Sequence, residues 1–193
     1  MIEVMDEGIG NIVAELEKQG IRKNTLVIFT SDNGPARIGS AGIFRGHKGQ
    51  VYEGGHRVAG VFNWPAQLPS GKECTSSILT MDMLPTFVTI AGGKIDPSRE
   101  LDGINVLPAL KGTPTQRKPL FWQHKNNFAV RDGSWKLVQS GKKSELFNLE
   151  NDISEKNNLA DKHPDQVTRL TKLLKAWQSS VTASSGGKLN SNP

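Results

Sequence analysis

The 193-residue sequence is poor in several residue types, and each shortage excludes something. A single cysteine, Cys74, rules out an intrachain disulfide and any Cys-rich zinc module. There is one tyrosine, and aromatics make up 6% of the chain. Long apolar runs are missing: the cleanest, such as Leu26–Phe29, last four or five residues, too short to span a bilayer. The N-terminus carries no basic-then-apolar pattern, so no export address is read there. The G-x-S-x-G elbow, the Walker loop and a G-x-G-x-x-G after a strand are all absent. No internal repeat is evident.

What remains is an ordinary globular composition, 36% hydrophobic and 22% charged. Such a length buries one sizeable core, or one core with a small appendage. The net charge of +5 is unevenly placed. Arg117, Lys118, Lys125, Arg131, Lys136, Lys142 and Lys143 face a single acid, Asp132, within 27 residues. The simplest reading is a solvated basic face; such a face also suits an anionic partner.

Ile2, Met5, Ile9, Ile12, Val13 and Leu16 recur at helical spacing, predicting a helix over residues 2–19 that stops at Gly20. Thr25–Thr30 reads as a strand covered on both faces, which with the helix predicts an α/β layer with a parallel sheet. Residues 32–57 are Gly-rich and irregular. Val58–Trp64 is a further apolar run closed by Pro65. Met83–Ala91 reads as a helix with Asp82 as N-cap, Pro85 in its first turn and Gly92-Gly93 as its stop. From Pro119 the pattern changes to short strands at Leu120–Gln123, Phe128–Arg131, Trp135–Gln139 and Glu145–Phe147. Asp132-Gly133 is the strongest hairpin signal, since both positions tolerate positive φ. Pro164 opens a last helix carrying Val167, Leu170, Leu174, Trp177 and Val181. The expected organisation is an α/β region over 1–116, a small antiparallel sheet with one helix over 117–181, and a disordered polar tail over 182–193.

Three segments can carry chemistry. Ser31-Asp32-Asn33-Gly34 follows the first strand, where open α/β sheets bind ligands. Asp32 and Asn33 offer hard oxygens suited to Ca²⁺, with Mg²⁺ as the alternative. Two donors do not complete a shell, and D-N-G is also an ordinary turn. Arg45-Gly46-His47-Lys48-Gly49 sets cationic side chains among glycines, as a tetrahedral oxyanion requires; a flexible basic loop is the plain alternative. In Tyr52-Glu53-Gly54-Gly55-His56-Arg57 the Glu53–Arg57 pair reads as a structural brace. His56 and His163 read as surface residues. His124 lies at a strand end within the basic stretch, an exposed turn position that can also reach a ligand.

In order and spacing, these strings resemble the sulfatase family of the alkaline phosphatase superfamily, from Met1 to about Val181. The carrying segments are MIEVMDEGIGNIVAELEKQGI, NTLVIFTSDNG, FRGHKGQVYEGGHRVAGVFNWP, TMDMLPTFVTIAG, LDGINVLPALKG, NNFAVRDGSWKLV and ELFNLENDISEKNNLADKHP. The likeness is to the C-terminal half of an arylsulfatase-type enzyme. It implies the C-terminal part of an alkaline-phosphatase-like α/β sandwich, followed by a small α+β subdomain with an antiparallel sheet of about four strands and a C-terminal helix. It implies that Asp32 and Asn33 belong to a Ca²⁺ site beside the sulfate and that Lys48 contacts the sulfate ester, with Arg45 and His124 as further candidate substrate contacts.

The family's nucleophile is a formylglycine made in a C-x-P-S-R motif, which this sequence does not contain. Ile95-Asp96-Pro97-Ser98-Arg99 imitates its tail with an inconvertible Ile95, and Cys74 lies in the wrong context. Ala59-Gly60 also departs from the family, where Pro is common after R-V. The expectation is therefore the C-terminal portion of a sulfatase, inactive alone and needing an N-terminal half to complete its site. Its partner would be a small sulfate ester or a sulfated glycan, with no nucleic acid and no membrane span. A periplasmic or secreted location is what the resemblance implies for the full-length enzyme. Two other readings stand beside it: a phosphoester or phosphonate hydrolase of the same superfamily, and a non-catalytic module binding sulfated polysaccharide.

Overall fold

The computed structural model describes residues 1–184. In chain order its elements are α1 (Ile2–Lys18), β1 (Val27–Thr30), α2 (Glu53–His56), β2 (Gly60–Asn63), α3 (Met83–Ile90), α4 (Leu107–Leu110), β3 (Leu120–His124), β4 (Asn127–Asp132), β5 (Trp135–Ser140), β6 (Lys143–Asn148) and α5 (Pro164–Ser184). They form two compact units. One joins Met1–Thr30 with Ala59–Gln116, and the other joins Ser31–Val58 with the chain from Arg117 onward. A break thus falls at 116/117, and the Gly-rich loop 31–58 groups with the later sheet. Of the polar tail, residues 182–184 continue α5; the rest lies outside the described residues.

In the first unit, α1 ends as its pattern dictates, with Gly20 at φ +69°. Its apolar side is only partly covered: Ile2, Met5 and Ile12 are exposed, while Ile9, Val13 and Leu16 are half-buried. β1 pairs with β2 antiparallel, Val27 opposite Asn63 and Thr30 opposite Gly60, where a parallel sheet was expected. The apolar run Leu26–Phe29 sets strand propensity, but direction depends on where the connection re-enters. Nor is β1 covered on both faces, since Phe29 and Thr30 are exposed. Asp82 occupies the N-cap position of α3, as read, but its side chain makes no capping bond to that helix. Its carboxylate accepts from Leu79 N (2.7 Å) and Ile104 N (2.9 Å), while Thr86 Oγ1 accepts from Val106 N (3.0 Å). Those bonds lay the LDGINV segment against α3.

The second unit is built on the meander β3-β4-β5-β6, antiparallel throughout. Each hairpin has two residues between its last paired positions, and each puts a positive φ on the first: Lys125 (+53°), Gly133 (+61°) and Gly141 (+59°). The central turn is therefore Gly133-Ser134, one residue later than Asp132-Gly133, because Asp132 still pairs with Trp135. Directly opposed residues share a face. One face carries three cross-strand rows: Leu120–Arg131–Lys136–Phe147, then Trp122–Ala129–Val138–Glu145, then His124–Asn127–Ser140–Lys143. Val51 and Tyr52 of the loop 31–58 pack on its first two rows. The opposite face, with Val130, Leu137 and Leu146, is covered by Leu170 and Leu174 of α5.

Burial corrects the basic-face expectation at one residue. Lys136 is 0% exposed, because the strand alternation that buries Val138 turns Lys136 to the same covered face. Among the described residues, no helix is long and apolar enough to cross a membrane.

A candidate oxyanion and cation site

The S-D-N-G turn, the Lys48 loop and the E-G-G turn meet through backbone contacts. Gly34 N donates to Gly55 O (2.9 Å), Lys48 N to Pro35 O (2.9 Å) and Gly54 N to Arg45 O (2.7 Å). Three glycines permit this. A Cβ on Gly34 would lie 1.9 Å from Gly54 O, one on Gly55 1.9 Å from Gln50 O, and one on Gly54 2.5 Å from Gly46 O. Side chains of any size would force the three segments apart.

The structure accordingly brings Asp32, Asn33 and Lys48 onto one knot of chain. Lys48 is exposed, and its ammonium meets no carboxylate among the described residues. His124 joins from the sheet: its Nε2 lies 3.5 Å from the position a Cβ on Gly49 would take. Arg45 points elsewhere. Its Nη1 donates to Glu145 Oε1 (3.2 Å) and Glu155 O (3.1 Å), its Nη2 to Tyr52 OH (3.2 Å), and its guanidinium lies 3.9 Å from the Tyr52 ring centroid. Tyr52 OH in turn donates to Glu145. Burial, and then that bond to a carboxylate, push the phenol up to about 12.

The knot is fastened to the sheet by buried charge. Lys136 Nζ lies 2.8 Å from Glu53 Oε1 and 2.9 Å from Glu155 Oε1, with all three side chains at most 1% exposed. Glu155 Oε2 accepts from Glu53 N (2.6 Å), and Arg57 Nη1 donates to Glu53 Oε2 (3.1 Å). The Glu53–Arg57 brace read from the sequence is thus one limb of a larger cluster. Burial pushes the Glu53 carboxyl up, but Lys136, His56 and Arg57 outweigh it and hold it down to about 2. At Glu155, burial outweighs Lys136 and the carboxyl is raised.

His56 belongs to this cluster and is not the surface residue expected. Its ring stacks on Trp122 (centroids 4.3 Å apart, 16° between planes), with Lys136 Nζ 3.3 Å from Nε2. Burial and the Lys136 charge push it down to about 4, so the imidazole is neutral at pH 7. His163 is exposed, as read.

The clamp residues were missed in the sequence, except Glu53 and Arg57. Lys136 left one usable trace, a lysine in phase with Val138 along a strand. Glu155, at φ +52°, left none.

Asp32 is exposed, and its carboxylate takes one long contact, from Ser31 Oγ at 3.5 Å. No cluster of three or more His, Cys, Asp or Glu suited to a metal occurs among the described residues. Asp32 and Asn33 thus present two oxygen-bearing side chains, fewer than a hard cation's shell takes.

Comparison with known proteins gives this arrangement a context. The family model described as Sulfatase matches residues 1–93. The chain is similar to steryl-sulfatase of Rattus norvegicus, 34% identical over 145 residues, covering 70% of this chain and 25% of that one. It is also similar to a sulfatase of Formosa agariphila, 29% identical over 219 residues and covering 91% and 38%. The solved structure of Ps i-CgsB in complex with k-i-k-neocarrahexaose superposes with a TM-score of 0.82 at 32% identity, covering 92% of this chain and 41% of that one. The chain thus spans between a quarter and two fifths of these relatives. With the family model over its first half, and a fold shared with a solved relative over nine tenths of its length, the chain belongs to the sulfatase family.

Proposed function

We propose that this chain is the C-terminal portion of a sulfatase that hydrolyses a sulfate ester to an alcohol and sulfate, with Lys48 binding the ester's sulfate. The observation that carries this reading is the bond from Lys48 N to Pro35 O, which ties the lysine loop to the turn bearing Asp32 and Asn33. A sulfate ester needs its non-bridging charge stabilised as the ester bond breaks. An unpaired lysine on a rigid loop supplies a compact positive charge for that purpose without reorganising. Asp32 and Asn33 would hold Ca²⁺, or Mg²⁺, which when bound adds Lewis-acid stabilisation of the same oxygens. His124, adjoining Gly49, would donate to the substrate in this reading. Arg45 contributes by orienting Tyr52 and the loop rather than by meeting the ester.

The substrate class in this reading is a sulfate ester on a small molecule or a glycan. The formylglycine motif does not occur in this sequence, so the 193-residue chain is expected to show no turnover of nitrocatechol sulfate. It should still bind the ester weakly. An NMR titration with nitrocatechol sulfate is expected to shift amides over residues 45–50 and the His124 ring, and Lys48→Met should weaken that binding about tenfold, one lost charge-assisted contact. Shifts confined to other regions, or an unaltered Lys48→Met titration, would sink the assignment.

Calcium gives a separate check. A Ca²⁺ shell takes about six to eight oxygens, and two residues do not supply them. Titration calorimetry on this chain is expected to find weak or undetectable Ca²⁺ affinity. Tight one-to-one binding would mean that the remaining donors are local, against this reading.

A further inference from the structure

The third row of the loop-covered sheet face, His124–Asn127–Ser140–Lys143, differs from the two rows before it. Those rows hold the buried clamp and the core. This one lies at the end of the sheet, with His124, Ser140 and Lys143 exposed. Two of the three hairpin turns close the sheet at this end, adding the exposed Lys125 and Lys142. We infer that this row and its two turns form a shelf that binds the further sulfate groups of a sulfated polysaccharide whose target ester sits at Lys48. The inference rests on the sulfatase reading above and names the substrate class for it.

Position is the first argument. Strands lie about 4.8 Å apart, so the row runs about 14 Å across the sheet, longer than one sugar ring. One end begins at His124, whose ring adjoins Gly49, the residue that follows Lys48 in the chain.

Charge is the second. Residues 123–127 (QHKNN) and 140–144 (SGKKS) contain three lysines and no acid. The nearest carboxylate on this face, Glu145 in the next row, is already taken by Arg45 and Tyr52. Lys125, Lys142 and Lys143 have no ion-pair partner among the described residues, so a sulfate would not have to displace one. A sulfate ester stays anionic at any ordinary pH, and the Asn127 amide and Ser140 hydroxyl suit the sugar hydroxyls between sulfates.

The same row argues against nucleic acid. Stacking platforms need a run of exposed aromatic faces, and this row holds no Trp, Tyr or Phe, only the single His124 ring. Trp122, the aromatic of the adjacent row, is stacked on His56.

The test uses the chain as it is, with a sulfated carrageenan hexasaccharide, nitrocatechol sulfate and a single-stranded DNA of matched charge as probes. The variant Lys125→Gln/Lys142→Gln/Lys143→Gln alters exposed positions only, and its folding is checked by its thermal transition. The expected result is a loss of about tenfold or more in hexasaccharide affinity at low salt with a shallower salt dependence. The nitrocatechol sulfate shifts over residues 45–50 should not change. Unchanged hexasaccharide affinity overturns the shelf and leaves the sulfatase reading intact. DNA binding as tight as the hexasaccharide and lost in parallel also overturns it, since the lysines would then be an unselective polyanion patch. A hexasaccharide effect with no ester shifts near Lys48 would support the shelf and refute the sulfatase site.

Discussion

Lys136→Met is expected to cost the chain about 3–5 kcal/mol of folding stability, the loss that follows when one member of a buried charge group is removed. Domains of this size keep about 5–15 kcal/mol in total, so the variant should be close to unfolding at 37 °C. Lys136 compensates two carboxylates, Glu53 at 2.8 Å and Glu155 at 2.9 Å, neither of which reaches water. Methionine fills much the same volume, so the loss arises from stranded charge rather than from a cavity. Glu53 keeps Arg57, while Glu155 keeps only the Glu53 N–H among its neutralising contacts. The double variant Lys136→Met/Glu155→Gln should therefore recover part of the stability. Urea unfolding measures both. A single-variant loss below about 1 kcal/mol would show the pair to be solvated, contrary to its burial.

The same cluster sets an acid limit. His56, held near 4 against its ordinary 6.5, binds a proton in the unfolded chain before it does in the folded one. Its share of the stability is thus present above about pH 6.5 and is lost as the pH falls toward 4. Glu53, held near 2 against 4.5, adds a second loss as the pH falls from 4.5 to 2. Glu155, raised above 4.5, works in the opposite sense and destabilises the fold as the pH rises past 4.5. A melting-temperature series should accordingly fall between pH 6.5 and 4 in the native chain. In Lys136→Met the fall should shrink, because one of the charges that depresses His56 is gone.

Gly55→Ala is expected to have an effect of similar size with a different cause. Its Cβ would sit 1.9 Å from the Gln50 carbonyl oxygen, a backbone atom that cannot swing aside. Overpacking typically costs about 1–3 kcal/mol and more when backbone must move, so about 3 kcal/mol is expected here. The damage should be local as well as global. Displacing Gln50 disturbs the loop after Lys48, and pushing Gly55 away breaks the Gly34 N to Gly55 O bond. Amide shifts over residues 32–35 and 46–50 should then move together. Gly60→Ala is the control: nothing lies within 4 Å of its Cβ, and stability should change by less than about 1 kcal/mol. Equal effects at the two glycines would show that close approach is not the reason for Gly55.

Sequence alone determined whatever rests on short-range pattern. Short apolar stretches separated by polar turns, two of the three with glycine, specify the meander β3–β6, and Leu170, Leu174 and Trp177 at helical spacing specify α5 with its buried side. The S-D-N-G and R-G-H-K-G strings were legible for the same reason, because their donors lie within a few residues of each other. Near misses were local too. The hairpin turn fell one residue late because pairing register is fixed by the whole ladder and not by the Asp-Gly pair.

Tertiary structure decided everything that needs distant residues to meet. The antiparallel direction of β1 and β2 depends on a return 30 residues later, which no apolar run encodes. Asp82 looked like a cap because Met83 starts a helix, yet its carboxylate is claimed by Ile104, 22 residues on. Lys136 read as part of a solvated basic face; its partner Glu53 lies 83 positions away, and only folding turns that lysine inward and pushes the His56 imidazole down to about 4. Charge type is local information, but whether a charge meets water or a buried counter-charge is a property of the packed chain.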